Sequence, residues 1–170
     1  GATVSPRTGL EFKPDMIWIK GRNYDYTNHG LCDSVKFDTT YPTNRTMLYP
    51  NLQNAETLGG NYLAHFTSSG EQPFFEGGFI LNNNTSGNNN GNTFVAWAWK
   101  AGGNTTSSLP FMIDDVGYAT AAAAGLDGGT KNPTGASVST EAGFSIVTYV
   151  ASNGSNDTIY HGLDKAPEVL

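Results

Sequence analysis

Charge is scarce in this sequence. Asp, Glu, Lys and Arg make up 14% of the 170 residues, with nine basic against fifteen acidic side chains and a net charge of −6. The basic residues are scattered, and only Lys20 and Arg22 lie close together. Nucleic-acid binders carry clustered Lys and Arg, so neither nucleic acid nor an anionic membrane is expected as a partner. The single cysteine, Cys32, excludes an internal disulfide and a cysteine zinc site. It stands between Leu31 and Asp33 in a strand-like run and is expected as a small buried apolar residue. No apolar run is long enough for a membrane-spanning helix, so membrane insertion is not expected. The chain begins at Gly1 rather than Met and stops at Leu170 inside an expected strand, which makes a piece of a longer protein the expectation. Disorder is excluded by the low charge together with an aromatic content of 12%.

What is present is Gly, Asn, Ser and Thr between short apolar runs. Gly and Asn supply the turn conformations that an all-β protein needs. "DMIWIK" (Asp15 to Lys20) predicts a strand with Ile17 and Ile19 on one face and Met16 and Trp18 on the other. "HGLCDSVK" (His29 to Lys36) predicts a second, more polar strand, and "GGFILN" (Gly77 to Asn82) a third. "TFVAWAWK" (Thr93 to Lys100) is the strongest strand pattern, with Val95, Trp97 and Trp99 opposed to Phe94, Ala96 and Ala98. The apolar-free tract "NNNTSGNNNGN" before it predicts a hairpin tip. No long helix is expected. The four alanines of "YATAAAAGLDGG" suffice for one helical turn stopped by Gly125.

Composition shifts after residue 100. Residues 101–142 are rich in Ala, Gly, Ser and Thr and are expected to form a connector, before a clear strand pattern in "GFSIVTYV" (Gly143 to Val150). The end of the chain repeats its beginning. "GLEFKPDMIW" starts at Gly9 and "GLDKAPEVL" at Gly162, with Leu, acid, Pro, acid and apolar residue matched at a constant offset of 153. Such self-similarity signals a repeat unit. The expected organisation is therefore a β-sandwich unit over 1–100, the connector over 101–142, and the opening strands of a second repeat unit over 143–170. Those opening strands would complete the first sandwich or that of a neighbouring subunit.

The ordered phrases "FKPDMIWIKGR", "HGLCDSVK", "GGFIL", "NTFVAWAWKAGG" and "GFSIVTYV…HGLDKAPEVL" cover nearly the whole chain. Together they are similar to a repeated module in structural proteins of tailed marine bacteriophages, notably cyanophages. Those modules resemble concanavalin A-like or laminin-G-like jelly rolls. The resemblance implies an antiparallel β-sandwich in a non-enzymatic virion protein. It would be part of a tail fibre or similar appendage at the particle surface, serving host attachment or acting as a spacer. The expected partners are other virion proteins and further copies of the chain, in a trimer by analogy with fibres generally. A host-surface glycan is a further expected partner, although the resemblance by itself does not imply a sugar site. A ligand-free capsid decoration and a free carbohydrate-binding module are the alternatives.

Among individual residues, Trp18, Trp97 and Trp99 are expected to fill the core, as aromatic residues on strands bury large areas. The loop tyrosines Tyr24, Tyr26, Tyr41 and Tyr49 are the candidate ligand contacts, since each offers a flat apolar face and a hydroxyl at small entropic cost. Asn88 and Asn90 join them as amides for polar ligands. No cofactor is expected; calcium is the one ion that a jelly roll of this kind would admit, but the Asn-rich loop lacks the carboxylates it favours. His29, His65 and His161 are expected to cap turns rather than to catalyse. No nucleophile elbow, zinc-protease motif or pair of glutamates on one strand accompanies them.

Overall fold

The computed structural model describes residues 5–23, 27–35, 46–58, 74–81, 85–153 and 156–169. The protein is all-β, its sheets almost entirely antiparallel, and it divides into two compact units. Unit 1 comprises Gly1–Asp33 and Phe37–Trp99; unit 2 comprises Ser34–Lys36 and Lys100–Leu170.

In unit 1, β1 (Ser5–Thr8), β6 (Phe74–Phe75) and β7 (Gly78–Leu81) form one sheet in the order β1-β7-β6. A second sheet places β2 (Met16–Gly21) between β3 (Gly30–Asp33) and β8 (Phe94–Trp99). The two-residue strands β4 (Thr46–Met47) and β5 (Thr57–Leu58) pair with each other, and a bridge between Leu31 and Leu48 continues from β3. The strict alternation of β2, with Ile17 and Ile19 buried and Met16, Trp18 and Lys20 half-buried, shows which face is internal. Ile17, Ile19 and Cys32 meet Met47, Phe74 and Leu81 in one core, against which Tyr49, Phe79, Phe94 and Ala98 pack. Cys32 is buried there, as its sequence context predicts.

The Asn-rich tract does not tip a hairpin. β7 pairs with β1 and β6, whereas β8 pairs with β2, so the strands flanking the tract belong to different sheets. Within it, Thr85–Asn88 closes a single α-helical turn, α1. A tract without apolar residues breaks strands, but it carries no information on which sheet each flanking strand will join.

Unit 2 corrects the expected connector. Residues 101–142 contain β9 (Phe111–Ile113), β10 (Val116–Tyr118) and β11 (Gly135–Ser139). With β12 (Phe144–Thr148) they form a sheet in the order β10-β9-β11-β12, of which β9-β11 is the one parallel pair. Phe111, Ala121, Leu126, Ala136 and Val138 make the core, joined by Ile113, Tyr118, Ala124, Val147 and Leu163. Small residues here are packing residues: every position of β11, sequence GASVS, is buried. The alanine tract does form one turn. The Thr120 hydroxyl accepts the Ala123 amide at 3.1 Å, the Leu126 amide reaches the Ala121 carbonyl at 2.8 Å, and Leu126 then enters the core.

The repeated phrase bends at matching positions at both ends. Residues 11, 12 and 15 and their counterparts 164, 165 and 168 are bends, and Gly9 and Gly162 both take positive φ, 118° and 77°. These are backbone conformations open chiefly to glycine. Among the described residues, however, the gap-filling expectation is not met within the chain. β12 pairs with β11 alone and with no described strand of residues 15–100.

Candidate functional site

Register and alternation assemble an unusual surface in unit 1. Trp18 lies directly opposite Trp97, and Met16 opposite Trp99, across the β2-β8 pair. Because side chains alternate along strands, all three tryptophans of the chain occupy the face of the β3-β2-β8 sheet that Ile17 and Ile19 do not. Trp97 is 44% exposed, and Trp18 and Trp99 are half-buried. The rings of Trp18 and Trp97 are 5.7 Å apart, centroid to centroid, and inclined at 58°. Such tilted aromatic pairs contribute about 0.5–1.5 kcal/mol beyond the area they bury.

A polar frame holds Trp18. Its indole Nε1–H donates to Nδ1 of His29 at 2.9 Å, and the imidazole also lies against the indole, 5.6 Å between centroids. The His29 amide donates to Oδ1 of Asn51 at 2.9 Å, and Nδ2 of Asn51 donates to Oδ1 of Asn28 at 3.0 Å. A ring whose only polar group is already bonded presents its faces, not its N–H, to whatever approaches. At the other end of β2, the Lys20 ammonium donates to the Thr27 carbonyl at 2.6 Å, and the exposed Arg22 is held to the neighbouring strand by its amide, 2.8 Å from the Thr93 carbonyl.

The tryptophans were expected in the core, and this is the main correction. Phe74, Met47 and Leu81 come from distant segments and fill the space behind β2, so Trp18 and Trp97 are left on the open face. One signal in the sequence marked that face: Lys20 shares the parity of Trp18, and a lysine is almost never fully buried unpaired. His29 binds the Trp18 indole instead of capping a turn, whereas His161 does cap one, its Nδ1 accepting the Leu163 amide at 3.0 Å.

Of the candidate loop residues, Tyr24, Tyr26 and Tyr41 lie outside the described residues, as does His65. Tyr49 is half-buried and packs against the unit 1 core. Asn88 is half-buried at the end of α1, and Asn90 is exposed in the turn that follows. The structure thus brings none of these six into one described cluster. Among the described residues, no group of three or more His, Cys, Asp or Glu is placed to hold a metal ion, and no helix is long and apolar enough to cross a membrane.

No curated protein matches the chain. No solved structure matches it either. A family model does match, over residues 1–170, and the chain belongs to that family, described as a domain of unknown function, DUF7483.

Proposed function

We propose that the protein is a non-enzymatic adhesion module of a tailed-phage virion appendage, and that it binds host-surface glycan through the tryptophan face of unit 1. The observation that carries this reading is the exposed Trp97 beside a Trp18 whose N–H is already bonded to His29. Flat apolar rings edged by amides suit the C–H faces and hydroxyls of sugar rings, because little side-chain freedom remains to be lost on binding. The Asn28, Asn51 and Asn90 amides and the His29 imidazole supply donors and acceptors in unit 1. In this reading the paired sheets of unit 1 are the two layers of a concanavalin A-like jelly roll. Copies of the chain assemble as trimers along a fibre, where weak contacts multiply through effective concentration.

The test is a glycan array followed by calorimetry on the wild type and Trp97→Ala. Since Trp97 is 44% exposed, Trp97→Ala should remain folded while losing at least about tenfold in affinity, equivalent to about 1.4 kcal/mol. Wild-type affinity in a folded Trp97→Ala variant would rule the face out.

A structural role without ligand is supported by a different observation. Val116, Tyr149, Val150 and Tyr160 of unit 2 are all more than half exposed, and large exposed apolar residues suit subunit contacts. Light scattering discriminates: a stable oligomer that ignores every glycan would favour this second reading.

A further inference from the structure

The tryptophan face ends on two cations in a protein of net charge −6. Trp18 and Lys20 share one face of β2, and Arg22 follows in the bend just past its end, its amide still bonded to the Thr93 carbonyl at 2.8 Å, so the three succeed one another along that strand. At about 3.4 Å per residue, Lys20 is about 7 Å from Trp18 along the strand, and Arg22 lies one residue past the strand's end. Among the described residues, neither cation forms an ion pair; the Lys20 ammonium is anchored on the neutral Thr27 carbonyl, which leaves it further N–H donors. The described carboxylates of the same sheet are Asp33, which is buried, and Asp15 just before β2, buried as well.

Overall negative charge does not cancel this arrangement. At physiological ionic strength, exposed charges are screened beyond about 8 Å. A bound anion at the Lys20 and Arg22 end of the face therefore senses those cations more strongly than the acidic residues elsewhere, the buried Asp33 lying opposite Met16 toward the other end of the face. Arginine and lysine form charge-assisted hydrogen bonds to carboxylates that are roughly twice as strong as neutral ones. We infer that the face selects acidic glycans, with a uronate ring stacked on Trp18 and Trp97 and its own or the next carboxylate reaching Lys20 and Arg22. This inference rests on the glycan reading of the same face and narrows it to a substrate class.

The experiment uses the 170-residue chain with oligomers of glucuronate, mannuronate and galacturonate, each beside its carboxyl-reduced neutral counterpart, and a single-stranded oligonucleotide as a further polyanion that can stack. Affinities are read by calorimetry at low and high salt. At least one oligouronate should bind about tenfold or more tightly than its reduced form, with the preference shrinking as salt is added. Lys20→Gln combined with Arg22→Gln should abolish the preference, while Trp97→Ala should weaken the acidic and neutral forms alike. Arg22→Glu, a change at an exposed position that sets one negative charge against Lys20, serves as the second variant and should likewise abolish the preference. Equal binding of both forms, or a preference that survives the charge variants, would overturn the inference and leave the glycan reading standing. Failure of every sugar to bind would end both, and an oligonucleotide bound more tightly than all uronates would replace the acidic glycan as ligand.

Discussion

Gly102→Ala should unfold unit 2 locally, and the reason is the closeness of three backbones. A methyl group at Gly102 would meet the Met112 carbonyl oxygen at 2.5 Å and the Val138 amide nitrogen at 2.7 Å, with the Val138 carbonyl oxygen nearer still. None of these atoms can swing aside as a side chain would. They belong to β9 and β11, the parallel pair in which Met112 faces Ser137 and Ile113 faces Val138. Separating them also endangers the bonds from the Asp115 amide to the Gly102 carbonyl, 2.8 Å, and from the Asp114 amide to the Val138 carbonyl, 2.9 Å. Overpacking costs about 1–3 kcal/mol, and each hydrogen bond lost adds about 0.5–1.5 kcal/mol, so a total of about 4 kcal/mol is expected. A unit of roughly seventy residues is stable by only about 4–10 kcal/mol. Hydrogen exchange read by mass spectrometry on the β11 amides is the assay. Their protection should fall by about three orders of magnitude, since exchange through opening follows the free energy of opening. A loss of less than about tenfold would show that the parallel pair accommodates a methyl group, and the close-packing argument for unit 2 would be wrong.

Two further outcomes are expected. His29→Leu removes the acceptor of the Trp18 N–H and frees the ring, so glycan affinity should fall roughly fivefold, whereas His29→Gln, which restores an acceptor oxygen, should recover most of it; equal losses in both would refute the positioning role. Asn104 has both side-chain amide atoms buried without a hydrogen-bond partner, and removing unsatisfied buried groups in favour of an apolar side chain of the same shape is neutral or stabilising. Asn104→Leu should therefore unfold at an unchanged or higher temperature, and a clear drop in the melting temperature would contradict this.

The strands of unit 1 were legible because they are patterned by period. Ile17 and Ile19, Cys32, and the run from Phe94 to Trp99 are all found in strands. Their partners were not, because pairing is decided by contacts between distant segments: the order β3-β2-β8 joins residues nearly eighty positions apart. Unit 2 was hidden for another reason. Its central strand GASVS is built from small residues, and closeness of packing, not apolar bulk, makes it a core strand. The same limitation concealed the site. Aromatic residues on a strand carry no label for inside or outside, and only Lys20 marked their face as solvated. The repeat, by contrast, was visible in sequence, and the two phrases bend at matching positions, with positive φ at both Gly9 and Gly162.

The grouping of Trp18, Trp97 and Trp99 has an optical consequence. Every indole in the molecule belongs to unit 1 and to one face of one sheet, so the tryptophan emission of the protein originates from that single patch. The described tyrosines of unit 2, Tyr118, Tyr149 and Tyr160, give only the weaker, shorter-wavelength signal of phenols. Whatever settles on the patch dries or shields Trp97 first, and it should announce itself as a shift in colour and intensity without any attached dye.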